Sequence, residues 1–348
     1  MKNTLRPCLA TICMLAAGCS DSSSPGTQTD SKSVVLYTSV DDAFAKLVAD
    51  AFTQQTGIAV HIVGDTEATK TTGLITRIQA EMNQSVADVW WSSEPMGTIL
   101  LDQSGALEQD AMIGMVPTDW PTTLHSENWS WIGNAMRSRV IAYASDRVQS
   151  PPTTMSQLAS SANKGKIGMA RPQFGTTRIH MAALADQWGI ESFTDWLEAL
   201  KTNNIRLYDG NARVVQAIAM GEIDIGLTDT DDVWAGQENG WKVELIYDAI
   251  DLENQWKSIG PTLIPNTVAV IKDAPNPEFA RQLAEFLVSP TTERLLYEST
   301  THNTPIHASL REEFGNNLLP IDGLPDFIGA ASMVREAMDV CEQVLISP

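Results

Sequence analysis

In the first third of the chain, continuous apolar runs alternate with segments in which apolar residues recur at helical spacing. Continuous apolar runs at residues 34–39, 58–63 and 87–91 predict buried strands. Between these runs, apolar residues spaced three or four positions apart predict helices, the first of which ends at Gly57. This strand–helix–strand–helix–strand order predicts parallel strands joined by right-handed crossovers.

The rest of the chain continues this alternation. Further strands are predicted at 139–143, 166–170, 223–227 and 267–271, with helical patterns between them and at 333–344. A chain of 348 residues is longer than one hydrophobic core usually supports. We therefore expect an α/β protein of two lobes, with the strands at 139–143 and 267–271 crossing between them. The predicted ranges are 34–140 for the first part of lobe 1, 141–264 for lobe 2, and 265–348 for the return to lobe 1 with a C-terminal helix.

Three carboxylates follow the strand at 223–227. Asp229, Asp231 and Asp232 stand in the predicted turn, and a helical pattern begins at Val233. Ligands of open α/β sheets bind outside the carboxyl ends of strands, and crowded acids repel one another unless solvent or a cation screens them. The turn therefore predicts ligand contact. The alternative is structural, with Asp229 or Thr230 capping the helix and the other acids favouring its positive end.

The net charge of the chain limits the kinds of partner that it is expected to bind. The formal net charge is −20 at pH 7, with 23 Lys and Arg against 43 Asp and Glu. Nucleic-acid phosphates and anionic lipid headgroups are held by basic clusters, and no such cluster stands out in this sequence. We therefore expect no nucleic-acid partner.

The N-terminus has the pattern of a secreted lipoprotein. Lys2 and Arg6 precede an apolar run at 8–17, which is too short to span a bilayer and ends in small residues before Cys19. This ending resembles the bacterial lipobox, which implies a signal peptide at 1–18 and lipidation of Cys19. Residues 19–33 are predicted to form a flexible tether. Cys341 is then the remaining cysteine beyond the tether, so an internal disulfide is not expected.

Five short segments stand out along the chain. In order, they are Val35-Leu36-Tyr37-Thr38-Ser39, Phe52-x-x-x-Thr56-Gly57-Ile58-x-Val60, Ala87-Asp88-Val89-Trp90-Trp91, Gly221-Glu222-Ile223-Asp224-Ile225-Gly226 and Ala284-Glu285-Phe286-Leu287-x-Ser289-Pro290. Together and in this order, they resemble the extracytoplasmic solute-binding proteins of ABC importers, in particular the ferric-iron-binding group. The resemblance implies a periplasmic-binding-protein type II fold, in which two lobes joined by crossing hinge strands close over a ligand.

The resemblance also suggests metal ligands. The family's tyrosine pair falls at Asp231 and Asp232, its histidine near Asp41, and its glutamate near Glu94. An all-carboxylate set suits hard cations, which prefer oxygen donors, but the loss of both tyrosines removes the phenolates that bind ferric ion strongly. An organic cation would suit the same acids.

A second group of candidate residues is expected to contact an anion that binds beside the cation. Gly175, Thr176 and Thr177 open a helix directly after a strand, where the family holds an anion beside the metal and where free N–H groups are available. Helix capping by Thr176 is the structural alternative. The other candidates stand near strand ends or beside this turn, and they are Tyr37, Thr38, Glu67 and Arg171.

These features predict a lipid-anchored, monomeric binding protein in the periplasm or on the outer cell surface. It would deliver a small ligand, foremost iron or another hard metal ion with a synergistic anion, to an ABC permease, without a cofactor. The alternative ligand is an organic zwitterion such as an aminophosphonate or thiamine. A metal-dependent hydrolase is a third hypothesis, but no nucleophile elbow or ordered Ser-His-Asp set supports an enzyme.

Overall fold

The computed structural model describes residues 32–65, 71–315, 318–321 and 324–347. Its strands are β1 (Ser33–Thr38), β2 (Ala59–Gly64), β3 (Val89–Ser92), β4 (Trp131–Ala144), β5 (Ile167–Ala170), β6 (Arg206–Tyr208), β7 (Ile225–Asp229), β8 (Val243–Tyr247) and β9 (Leu263–Val270). Its helices are α1 (Asp42–Thr56), α2 (Thr72–Ala80), α3 (Pro95–Gln103), α4 (Met155–Leu158), α5 (Gly175–Trp188), α6 (Ile190–Thr202), α7 (Asn211–Ala219), α8 (Thr230–Glu238), α9 (Pro277–Leu287), α10 (Pro290–Glu298), α11 (Ala308–Phe314) and α12 (Phe327–Cys341). Within the described residues, no helix combines the length and apolar character needed to cross a membrane.

The strands form a continuous sheet in the order β2-β1-β3-β9-β4-β7-β5-β6, with β8 also paired to β4. The predicted parallel pairing in the first part of the chain is confirmed, because β1 runs parallel to both β2 and β3. The strands β5, β6 and β7 are likewise parallel to one another. The strands β3, β9, β4 and β7 pair successively in antiparallel fashion, which places the reversal of direction in the middle of the sheet.

Strand β4 connects the two halves of the sheet. It pairs with β9 from Trp131 to Ser138 and with β7 from Arg139 to Tyr143. We call β1, β2, β3 and β9 with their helices the first lobe, and β5 to β8 with theirs the second lobe. Strand β4 therefore begins well before the predicted Arg139 and belongs to both lobes. The exact residue boundaries of the lobes stay a prediction.

Alternation along each strand sends neighbouring side chains to opposite faces of the sheet. In β1, Leu36 joins the apolar cluster beneath α1 and α9, whereas Tyr37 joins the cluster beneath α2 and α3. In the second lobe, Leu227 of β7 packs on the side of α5 and α6, while Val140 of β4 packs on the side of α7 and α8. Both lobes therefore have helices on both faces of their sheet, as the strand–helix alternation predicts.

The C-terminal helix α12 packs against both lobes. Its first half contributes Phe327 and Val334 to the core of the first lobe, and its second half contributes Ala337 and Cys341 to the core of the second. The thiol of Cys341 is buried, and burial raises its pKa to about 12. Cys341 is therefore a packed apolar residue of the core.

Helix α8 begins earlier than the apolar pattern predicts. Its first residue is Thr230 rather than Val233, so Asp231 and Asp232 lie in the first helical turn and not in a preceding loop. Asp229 occupies the N-cap position, but its side chain makes no capping hydrogen bond. The capping alternative for Asp229 is therefore wrong, and its carboxylate has other partners.

Candidate ligand-binding site

A pocket opens where strands from both lobes end. Its lining residues follow β1, β3, β5, β6 and β7, and they include Asp41, Ser93, Arg171, Asp209 and Asp231. The volume of this cavity is about 80 Å³. At about 10–15 Å³ for each enclosed water, this space suits a hydrated metal ion or a small organic molecule.

Four of the predicted acids line this pocket. Carboxylate oxygens of Asp229, Asp231 and Asp232 lie within 4.8 Å of one another, close enough for one metal ion to contact all three. Asp41, which belongs to the first lobe, lines the same pocket. Helix α8 therefore presents two acids, and strand β7 a third, to an acid from the opposite lobe.

Asp229 forms hydrogen bonds with three other residues in and beside the pocket. One of its oxygens accepts from Arg139 Nη1 at 2.7 Å, and the other accepts from Thr176 Oγ1 at 2.5 Å and Asn211 Nδ2 at 2.9 Å. Arg139 also donates through Nε to Nδ1 of His180 at 3.4 Å. Burial, followed by the charge of Arg139, holds the pKa of His180 well below its ordinary value, so the imidazole is neutral and accepts this bond. Both oxygens of Asp229 are thus engaged within the protein.

Asp231 faces a buried arginine. Nη1 of Arg137 lies 3.1 Å from Oδ2 of Asp231, and both side chains are about nine-tenths buried. Asp232 accepts at 3.3 Å from the hydroxyl of Thr228 and is only partly buried. The pocket therefore holds acids that differ in their partners: Asp229 is locked in place, Asp231 is paired with Arg137, and Asp232 contacts a neutral donor.

The N-terminus of α5 also lines the pocket, next to Asp229. Gly175, Thr176 and Thr177 all line the pocket, and Gly175 has φ +57°, a conformation that favours glycine. Thr176 does not cap α5, because Phe174 occupies the cap position and Thr176 Oγ1 donates to Asp229 instead. Three backbone N–H groups at a helix start favour an anion.

Three predicted residues do not line this pocket. The hydroxyl of Tyr37 donates to Glu81 at 3.0 Å within the first lobe, and burial is the main reason that the pKa of Tyr37 rises to about 12. The hydroxyl of Thr38 donates to the carbonyl of Trp91 at 2.7 Å. The prediction of ligand contact by Tyr37 and Thr38 therefore does not fit the structure, because both point into the lobe.

Glu94 also has a different role from the predicted metal ligand. It is 2% exposed and caps α3, accepting from the backbone N–H groups of Met96 at 2.5 Å and Gly97 at 3.0 Å. Burial raises the pKa of Glu94, while the N–H of Gly97 opposes this rise. Both carboxylate oxygens are therefore occupied by the helix start, where an acid is favoured. Glu67, and Cys19 as the lipidation candidate, lie outside the described residues.

The sequence pattern missed several pocket residues. Arg137 lies in the middle of β4, just before the predicted start of this strand at Arg139, and Asn211 lies at the start of α7, shortly after β6. Ser93 and Asp209 follow strands β3 and β6. Their position directly after a strand is the sequence signal that could have identified Ser93 and Asp209 as pocket residues. No local sequence feature distinguishes Arg137 from a surface arginine.

Two lobes around a shared strand, with a charged pocket at the strand ends, define a ligand-binding protein of the periplasmic type II class. A solved Trichodesmium protein in complex with iron and citrate has the same fold, with a TM-score of 0.74 at 23% identity, covering 90% of this chain and 100% of that one. Residues 48–316 match the model of the bacterial extracellular solute-binding proteins, and the chain belongs to this family.

Curated relatives agree with this family. Iron uptake protein A1 of Synechocystis is 27% identical over 322 residues, covering 86% of this chain and 84% of its own. The major ferric iron-binding protein of Neisseria meningitidis is 26% identical over 265 residues, covering 76% and 78%. The protein is therefore a periplasmic solute-binding component of a transport system with a permease partner, and not an enzyme.

Proposed function

We propose that this protein captures a hard metal cation, foremost ferric iron, in the pocket between its lobes and delivers it to an ABC permease. The observation that carries the proposal is the convergence of Asp229, Asp231 and Asp232 oxygens within 4.8 Å in a pocket also lined by Asp41. Carboxylate oxygens are ligands that hard cations prefer. The Synechocystis relative is an iron uptake protein, and the Neisseria relative is a ferric iron-binding protein.

An anion completes the proposed site. The first residues of α5 line the pocket beside the acids, and Arg171 lines the same pocket. Citrate accompanies iron in the Trichodesmium protein. We infer that a small carboxylate or phosphate anion binds between α5 and the metal. Its oxygen atoms would replace the phenolate ligands that are lost because Asp231 and Asp232 stand at the tyrosine positions of the family.

An organic zwitterion is the second candidate ligand. Its support is the presence of both signs of charge in one pocket, with Arg137 and Arg171 lining it beside the acids. A molecule with an ammonium and a phosphonate group would match Asp232 at one end and Arg171 or the α5 N-terminus at the other.

The decisive experiment is a ligand comparison on chelator-stripped protein. Ferric citrate at a hundredfold excess over its dissociation constant should raise the melting temperature by about 3–5 °C, because binding to the folded state alone stabilises it by about 2.7 kcal/mol. Asp232→Asn should lose most of this shift, whereas Asp195→Asn, an exposed acid on α6, should keep it. A shift with 2-aminoethylphosphonate or thiamine, and none with metals, would favour the zwitterion.

We also propose that the mature chain is a monomer anchored by lipid at Cys19, after removal of residues 1–18. The supporting pattern is the small-residue run before Cys19, followed by the polar segment up to residue 33. Purification from the native envelope tests this together with the ligand. Metal analysis identifies the bound ion, and release without detergent would contradict the anchor.

A further inference from the structure

Arg137 stands where the two lobes meet. It lies on β4 immediately before the strand changes its partner from β9 to β7. Its Nη2 donates to the carbonyl of Ser93 at 3.2 Å and to Oδ1 of Asn266 at 2.9 Å, both from the first lobe. Its Nη1 donates to Asp231 of the second lobe. The guanidinium group is therefore fixed on one lobe and paired with an acid on the other.

A bulge in the hinge strand sets this position. The pairing of β4 with β9 shifts register between Asn134 and Met136, around Ala135 at φ +36°. The N–H of Ala135 donates to the buried carboxylate of Glu293, and its carbonyl accepts from Asn266, which also binds Arg137. The arginine is thus held by the same network that holds the bulge.

The acids proposed to bind the ligand already surround this arginine. Burial alone would lower the pKa of Arg137, but Asp231, Asp229, Asp41 and Asp232, in decreasing order of effect, raise it above its ordinary value. Only 8% of Arg137 is exposed, so solvent screens these charges weakly. The guanidinium consequently lies in the negative field that would attract a ligand cation.

We propose that Arg137 is an internal counter-cation that competes with the ligand cation for Asp231 and so lowers the affinity of the site for metal ions. This inference rests on the proposed function of the pocket. Arg137 contacts one oxygen of Asp231, so a metal ion that uses this oxygen must displace the guanidinium. An ion that uses the other oxygen still lies near a fixed positive charge. The repulsion grows with the charge of the ion, whereas the free energy needed to separate Asp231 from Arg137 is the same for every ion. Arg137 therefore weakens the binding of any metal cation at this site.

The test measures calcium, manganese and ferric citrate binding by titration calorimetry in wild type and Arg137→Gln. We expect the variant to bind calcium and manganese at least tenfold tighter than wild type does. Arg147→Gln is the charge-matched control, because the guanidinium of Arg147 pairs with Asp224 outside the pocket. It should leave the calcium affinity within threefold of wild type.

A second variant covers the case in which Arg137→Gln does not fold. Arg137→Lys keeps the positive charge. A lysine ammonium lacks the planar guanidinium group that binds Ser93 and Asn266, so it is held less firmly and separates from Asp231 more readily. Calcium affinity should then rise at least threefold over wild type.

The outcomes separate this inference from the proposed function. If wild type binds ferric citrate and the folded Arg137 variants bind calcium equally or more weakly, the counter-cation role is wrong and Arg137 only supports the acids. If neither wild type nor any variant binds a metal, both the metal function and this role are wrong. Tighter calcium binding in the variants, without the same change in Arg147→Gln, supports the role.

Discussion

Two aspartate–arginine pairs in the second lobe differ in burial, and burial decides what each contributes. The side chains of Asp229 and Arg139 are 3% and 1% exposed, while those of Asp224 and Arg147 are 28% and 36% exposed. Removing one partner of a buried pair leaves an uncompensated charge in a medium that solvates it poorly. An exposed pair loses little, because water replaces the lost partner.

Asp229→Asn should therefore lower the free energy of unfolding by about 3–5 kcal/mol, since Arg139 remains buried without its anion. The matched variant Asp224→Asn should lower it by less than about 1 kcal/mol. Urea denaturation monitored by circular dichroism measures both. Equal losses in the two variants would mean that Arg139 gains solvent or another partner when Asp229 is neutral.

At the scale of elements, the loop between β8 and β9 is closed by a buried acid. Asp248 accepts from the hydroxyl of Ser258 at 2.6 Å, and the backbones of Asp251 and Ser258 exchange hydrogen bonds at 2.8 and 2.9 Å. Burial raises the pKa of Asp248 from its ordinary value of 3.8 to about 6, although the Ser258 hydroxyl opposes this rise. The loop therefore favours the protonated form of Asp248.

This raised pKa gives a pH dependence with a definite sign. Because the folded protein binds the proton more tightly than the unfolded chain, the stabilisation by protonated Asp248 is complete below about pH 4 and is lost as pH rises through about 6. Asp248→Asn mimics the protonated form. It should be more stable than wild type at pH 7.5, by up to about 3 kcal/mol, and equal to it at pH 4.

Melting temperatures of wild type and Asp248→Asn between pH 4 and 8 would measure this difference. Asp195→Asn on the exposed face of α6 provides the control, with the same change of charge and no burial. A gain in Asp248→Asn that does not depend on pH would show that the charge of Asp248 is not the cause.

At the scale of the whole molecule, the two lobes also touch outside the pocket. The ring of Trp234 on α8 meets the ring of His302, after α10, edge to face with centroids 5.2 Å apart. The two residues belong to different lobes, so opening of the cleft would separate them. Aromatic pairs of this geometry contribute about 0.5–1.5 kcal/mol beyond their buried area.

His302→Ala should therefore weaken ferric citrate binding about two- to twelvefold, because it removes a contact that exists only when the lobes are together. Titration calorimetry measures the affinity. His61→Ala, a change on the exposed side of β2, is the control and should leave the affinity unchanged. An unchanged affinity in His302→Ala would mean that this contact also persists in the open protein.

The local pattern was enough for many of the elements and for part of the site. Apolar spacing predicted α1, α5 and α9, because a helix that buries one face must repeat every three to four residues. Chain order placed the acids after β7 and the small residues after β5 at strand ends, where α/β proteins bind ligands. Family resemblance then supplied Asp41 on the opposite lobe.

The amino-acid sequence by itself determined the two-lobed α/β class, the acidic turn at Asp231 and Asp232 and the helix start at Gly175, because each depends on neighbours in the chain. Tertiary structure decided what those groups meet. Which face Tyr37 takes depends on strand register, the engagement of Glu94 depends on where α3 begins, and the place of Arg137 depends on a bulge fixed from distant helices. A charge is recognisable from sequence, but its partner is set by contacts between segments far apart in the chain.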